Sequence, residues 1–113
     1  MSAGTGLKHW RTQRVTAILL VPLVLWFAYS MAALTGQPYP VYHLWVSGTL
    51  NAFLLGVLLL VVFRHAQLGL EEVIQDYVHA PGAKRASLMA VRVCIFALLA
   101  VGLLSILSIV VGV

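Results

Sequence analysis

Four residues past the middle of the chain set the first chemical question: His65, Gly69, Asp76 and Tyr77. His65 follows an uncharged, largely apolar stretch that runs from Leu44 to Phe63. An imidazole held at membrane depth costs free energy unless it has a partner, so its position marks a functional site. Two chemistries suit it: a locally satisfied hydrogen bond, or an axial nitrogen offered to iron. If its helix continues past the apolar stretch, Gly69 lies one turn on along nearly the same face. Asp76 then returns to within about 20° of His65, while Tyr77 is about 18 Å along the axis and about a third of a turn round. The missing side chain at Gly69 lets a flat macrocycle approach the backbone closely, which favours haem ligation. One helix thereby serves two sites at different depths.

The rest of the chain bounds the donor set. Its single cysteine, Cys94, excludes disulfides and cysteine metal sites by number and reads as ordinary apolar packing. His9 and His79 read as interfacial and His43 belongs to the opposite side, so no second histidine lies at comparable depth. A six-coordinate haem must then draw its other ligand from another subunit. Gly48, Ala52 and Gly56 form a stripe of small residues that permits close helix approach, about opposite His65 on an ideal helix. That stripe is expected to meet neighbours in the chain's own bundle, leaving the His65 face for the cofactor and a second chain.

The elements that position these residues are membrane helices. Of 113 residues, 62% are apolar and 9% charged, against about 25% charged in soluble domains; mean hydropathy is +1.02. No Asp, Glu, Lys or Arg occurs between Arg14 and Arg64, or after Arg92. A spanning helix needs about 20 such residues, so the first gap holds two helices and the second holds one. The sequence predicts an all-α membrane protein of one domain over 1–113, with transmembrane helices at about 15–34, 42–70 (extending towards 78) and 86–110. Gly36-Gln37-Pro38-Tyr39-Pro40 and Pro81-Gly82 supply the turns. Pro22 falls inside the first helix, where it predicts a kink.

Basic residues fix the expected orientation. Lys8, Arg11 and Arg14 precede the first helix, and Arg64, Lys84, Arg85 and Arg92 flank the second connection. The positive-inside rule places the N-terminus in the cytoplasm and the C-terminus in the periplasm. The net charge of +4 is therefore a topological signal aimed at lipid phosphates, with no nucleic acid implied. The apolar run after Arg14 is too long for a signal-peptide core and no A-x-A site closes it, so a permanent helix is expected.

Two runs carry a family resemblance. His9-Trp10-Arg11-Thr12-Gln13-Arg14-Val15-Thr16-Ala17, and the stretch from His65-Ala66-Gln67-Leu68-Gly69 through Asp76-Tyr77-Val78-His79, resemble the small hydrophobic membrane-anchor subunits of succinate dehydrogenase, respiratory complex II. The H-x-x-x-G motif followed by D-Y, after an R-x-T-A helix start, is specific in combination, and the likeness spans the whole chain in helix order. It looks most like the mitochondrial and related bacterial branch. With no transit peptide ahead of Lys8, the expected address is a bacterial inner membrane rather than a mitochondrial one.

The resemblance implies roles. His65 would be the axial ligand of haem b, shared with a second, cytochrome b556-type anchor subunit. Tyr77 would donate a hydrogen bond to a ubiquinone carbonyl, with Asp76 beside it. Arg14, and more weakly His9, would approach a haem propionate or the quinone region. The chemistry is compatible: a phenol stabilises charge developing on a carbonyl oxygen, and arginine suits a carboxylate with paired hydrogen bonds. Without the resemblance, Tyr77 reads as an interfacial anchor and Arg14 as a topology determinant. Glu71 and Glu72 read as a solvated or partner-facing turn, and Arg64 is expected to snorkel towards the cytoplasm.

The chain carries no dinucleotide-binding glycine fingerprint and no cysteine set for a cluster. The resemblance implies a subunit without catalysis of its own, tying an iron–sulfur subunit and a flavoprotein to the membrane and helping to form the ubiquinone-reduction site. An anchor of a quinol:fumarate reductase shares the motif. From a different class, a haem-free scaffold or small transporter subunit would use His65 and Asp76 as a proton relay.

Overall fold

A computed structural model describes the backbone of residues 3–113 and the side chains of residues 6–113. Among the described residues there are four helices and no strands: α1 (Ala3–Ala33), α2 (Tyr39–Ser47), α3 (Thr49–Tyr77) and α4 (Pro81–Val111). Three of them, α1, α3 and α4, are long and apolar enough to cross a membrane. The long dimension of the chain, 49 Å, exceeds a hydrocarbon core of about 30 Å, so helix ends stand outside it.

The helices overrun the apolar stretches because their polar ends are also good helix formers. α1 already contains Lys8, Arg11 and Arg14, and passes Pro22 without interruption. α3 continues through Glu71, Glu72 and Asp76 to Tyr77, which keeps His65, Gly69, Asp76 and Tyr77 on one helix. α4 opens at Pro81 rather than about five residues later. Proline costs nothing at the first helical position, where its missing N–H has no intrahelical partner, so Pro81 starts a helix and the connection shrinks to 78–80.

The segment expected as the second spanning helix, 42–70, is shared by two helices instead of one. Pro38 and Pro40 initiate α2, after a turn that uses Gly36 at φ +82°, a conformation glycine adopts freely. Gly48 then leaves helical geometry at ψ 135°, ending α2 and capping α3. The break is internally satisfied: Asn51 Nδ2 donates to the Trp45 carbonyl at 3.0 Å, and Gly48 N–H donates to the same oxygen at 3.3 Å. Gly48 therefore departs from the expected small-residue stripe. The Trp26 and Trp45 rings stack at 5.5 Å, and the Tyr42 hydroxyl donates to the Leu34 carbonyl at 2.7 Å; together these fasten α2 to the end of α1.

α3 is the central element, packed on α1 along one side and α4 along another. Gly56 and Gly102 bring α3 and α4 together: a Cβ at Gly56 would touch Leu103 at 3.9 Å, and one at Gly102 would press on Leu59 at 2.9 Å. Small residues permit such approach where no hydrophobic force separates helix from lipid. Burial is nevertheless sparse, with none of the most apolar window of α4 buried within the chain. Its faces must be covered by lipid or by other helices.

Candidate functional site

The seam between α1 and α3 is built from polar pairs that step along the two helices in opposite directions. His9 Nδ1 stands 3.3 Å from Glu72 Oε1. The Gln13 amide nitrogen lies over Gly69, in ordinary contact distance, 3.6 Å, of where a Cβ on that glycine would be. Thr16 Oγ1 and His65 Nδ1 are hydrogen-bonded at 3.0 Å. Three contacts at successive turns fix the antiparallel register and set the depth of His65 opposite Thr16.

His65 is half-buried, with its Nδ1 engaged by Thr16 and, among the described residues, no hydrogen bond at Nε2. The imidazole thus sits against α1 rather than on a face left wholly to a second chain, because Thr16, itself 7% exposed, supplies the local partner. Gly69 faces Gln13, so its open backbone is used at least in part by a neighbour within the chain. The side-chain amide oxygen of Gln13, Oε1, is buried with no donor among the described residues. An unpaired buried acceptor is costly, and it marks the seam as lacking a group that this chain does not supply.

The other site residues lie around this seam without closing it. Arg14 is exposed, its guanidinium 5.3 Å from the centre of the Trp10 ring, and no carboxylate pairs with it among the described residues. Asp76 and Tyr77 close α3; both are exposed, Tyr77 at 77%. His65 and Tyr77 are about 18 Å apart along the axis, so any sites they serve are distinct.

Glu71 departs from the expected solvated turn. It is buried at 8% exposure, and its Oε1 accepts from Arg92 Nε and Gln67 Nε2, both at 3.2 Å. Arg64 reaches Gln67 at 3.4 Å, extending the network along α3. A buried carboxylate requires such partners, and Arg92 is the cation that α4 places at its depth. Glu72, one residue on, is exposed and faces His9. Sequence reading missed Thr16, Gln13 and the Glu71–Arg92 pair as contacts. The usable signal was depth: Thr16 lies two residues after Arg14 and His65 one residue after Arg64, the two arginines that bound the uncharged stretch.

The donor set can be tested against the implied metal group. No cluster of three or more His, Cys, Asp or Glu side chains occurs among the described residues, so this chain does not enclose a bare metal ion by itself. One half-buried imidazole with an uncommitted nitrogen, beside a glycine and near an unpaired arginine, fits a macrocyclic iron that takes one axial ligand here and one elsewhere.

Comparison with known proteins gives the family of the chain. Residues 1–108 match the model of the family described as succinate dehydrogenase/fumarate reductase transmembrane subunit. The chain is 31% identical over 91 residues to the succinate dehydrogenase hydrophobic membrane anchor subunit of Rickettsia bellii, covering 80% of this chain and 73% of that protein. It is 29% identical over 92 residues to the succinate dehydrogenase membrane anchor subunit of Reclinomonas americana, covering 79% and 77%. With a family match along nearly its whole length and relatives that share its span, the chain belongs to the transmembrane subunits of succinate dehydrogenase and fumarate reductase.

Proposed function

We propose that this chain is the membrane anchor of a succinate:quinone oxidoreductase in a bacterial inner membrane, where it shares haem b with a second anchor subunit and contributes to the ubiquinone-reduction site. The single observation that carries the reading is His65: its Nδ1 is held by Thr16 across the α1–α3 seam and its Nε2 is uncommitted. A bare ring nitrogen left at membrane depth is costly, and a ligating histidine has this division: one nitrogen held by a neighbour and the other free for the metal.

Bound there, haem b would supply a one-electron redox centre within the membrane. His65 would hold the iron through its free nitrogen, and Arg14, without a carboxylate partner among the described residues, would offer a cation to an acidic group of the haem. His9 is a poorer propionate partner than the resemblance implied, since it already faces Glu72. Tyr77 and Asp76, exposed at the end of α3, present a phenol donor and a carboxylate to a pocket whose remaining walls come from the second anchor and the iron–sulfur subunit. The flavoprotein that oxidises succinate lies beyond that. The chain thus holds and orients; the chemistry of succinate takes place in its partners.

The test is His65→Ala in the assembled complex. The reduced-minus-oxidised visible spectrum is expected to lose its b-type signal, while succinate oxidation with a soluble dye persists. Full haem occupancy in the variant would remove His65 as a ligand. The fumarate reductase reading shares every residue named here; both relatives are named for succinate dehydrogenase, which favours the succinate-oxidising direction.

A further inference from the structure

We propose that Thr16 is the positioning residue that fixes the tautomer and ring orientation of His65, keeping its proton on Nδ1 and Nε2 bare for iron. The inference rests on the reading of His65 as a haem ligand and adds to it the direction of the Thr16–His65 hydrogen bond and the role that follows.

A threonine hydroxyl has one proton to give. Thr16 Oγ1 lies 2.9 Å from the Thr12 carbonyl and 3.0 Å from the Gln13 carbonyl, both in the preceding turn of α1, and these acceptors take that proton. Towards His65 Nδ1, 3.0 Å away, the oxygen is left to accept. The donor is therefore Nδ1–H. A neutral imidazole carries one N–H, so Nε2 keeps its lone pair. The holding group is itself rigid: Thr16 is 7% exposed, its χ1 is restricted by β-branching, and the Gln13–Gly69 and His9–Glu72 contacts continue the same seam one and two turns away on one side of it. An N–H partner on the far nitrogen of a ligating histidine orients the ring and raises its basicity. A bare Nε2 with no such partner would spend part of its time protonated on the wrong nitrogen.

Thr16→Val in the purified complex removes the acceptor and keeps the shape; Thr16→Ser keeps the acceptor. Three quantities are measured: the rate of haem transfer to excess apomyoglobin, the haem midpoint potential, and the ferric haem electron paramagnetic resonance spectrum. The valine variant is expected to release haem about 10- to 100-fold faster, the range seen when such outer partners are lost, with a raised potential and shifted resonance. The serine variant is expected to stay near the parent. If valine prevents assembly, Thr16→Ala takes its place against serine. Equal behaviour of the hydroxyl-free variant and the parent, while His65→Ala is haem-free, overturns the role of Thr16 and leaves the ligand assignment standing. Equal loss in the serine and hydroxyl-free variants overturns it too, since packing is then the cause. Haem retained in His65→Ala defeats the ligand assignment and this inference together.

Discussion

Replacing Arg92 by methionine leaves the Glu71 carboxylate, 11% exposed at its side chain, with the neutral Gln67 amide as its sole donor from the observed network. Removing one partner of a fully buried ion pair costs about 3–5 kcal/mol. Arg92 is 58% exposed at its side chain, so solvent screens the pair and that range is an upper limit. Losing one charge-assisted hydrogen bond costs about 1.5–3 kcal/mol, and after screening the expected destabilisation is about 1–3 kcal/mol. Glu71→Leu combined with Arg92→Met removes the stranded charge and is expected to be less damaging than the single arginine change, which gives a coupling energy of about 1–2 kcal/mol. Heat or denaturant titration of the detergent-solubilised complex, following release of the anchor, measures Arg92→Met, Glu71→Leu and the double variant, which together close the cycle. A strictly additive double variant, or an Arg92→Met complex within about 0.5 kcal/mol of the parent, refutes the account of Glu71 as a buried, paired carboxylate.

Tyr77→Phe is expected to leave assembly and haem content intact, because the hydroxyl has no partner among the described residues and the side chain is 77% exposed. A quinone hydrogen bond of about 2.7–4 kcal/mol implies a hundredfold to thousandfold fall in quinone-linked turnover; normal ubiquinone reductase activity returns Tyr77 to an interfacial anchor. Gly69→Ala adds an ordinary contact with Gln13, 3.6 Å away, and gains about 1 kcal/mol of helix propensity. The complex should therefore assemble, and weaker haem binding in it places a macrocycle edge against Gly69, whereas unchanged haem means the glycine serves Gln13 alone. A reporter fused after Val113 should read as periplasmic and one inserted at 78–80 as cytoplasmic, from the distribution of basic residues; the opposite pattern reverses the orientation and moves Tyr77 to the other face of the membrane.

The three spans were legible because charge is excluded from hydrocarbon, so the gaps between Arg14 and Arg64 and after Arg92 mark where lipid must be. Their ends were not legible from apolarity. Helix continues through Glu71, Glu72 and Asp76 because a helix already nucleated adds further residues cheaply, whether or not lipid surrounds them. Pro38, Pro40 and Pro81 were read as turn formers, yet each lies at a helix start, since proline is excluded from interiors and favoured at first turns for the same missing N–H. Gly48 hid its role in a stripe of small residues; the Asn51 amide that caps the broken helix at Trp45 was the feature that distinguished a hinge from a packing stripe. His65, Gly69, Asp76 and Tyr77 could be placed on one helix from spacing alone. What they touch could not, because Thr16 lies 49 residues before His65 in the chain and Gln13 lies further still.

The seam also explains why one chain carries only part of a site. Along α1 and α3 the polar groups are matched within the chain at His9–Glu72 and Thr16–His65, and between α3 and α4 at Glu71–Arg92. Among the described residues the unmatched groups are Nε2 of His65 and the buried side-chain Oε1 of Gln13 on the seam itself, and Arg14 just beside it. A lone pair, an acceptor and a cation left over at one depth form an uneven donor set that lipid cannot satisfy, since hydrocarbon offers no hydrogen bonds. The contacts that are complete hold α3 in register; those that are incomplete face what the rest of the complex must bring. In a membrane, where exposed polar groups are expensive, that division would tie completion of the site to assembly: on the proposed function, the cation and the bare imidazole nitrogen would reach their full partners only with the second anchor in place.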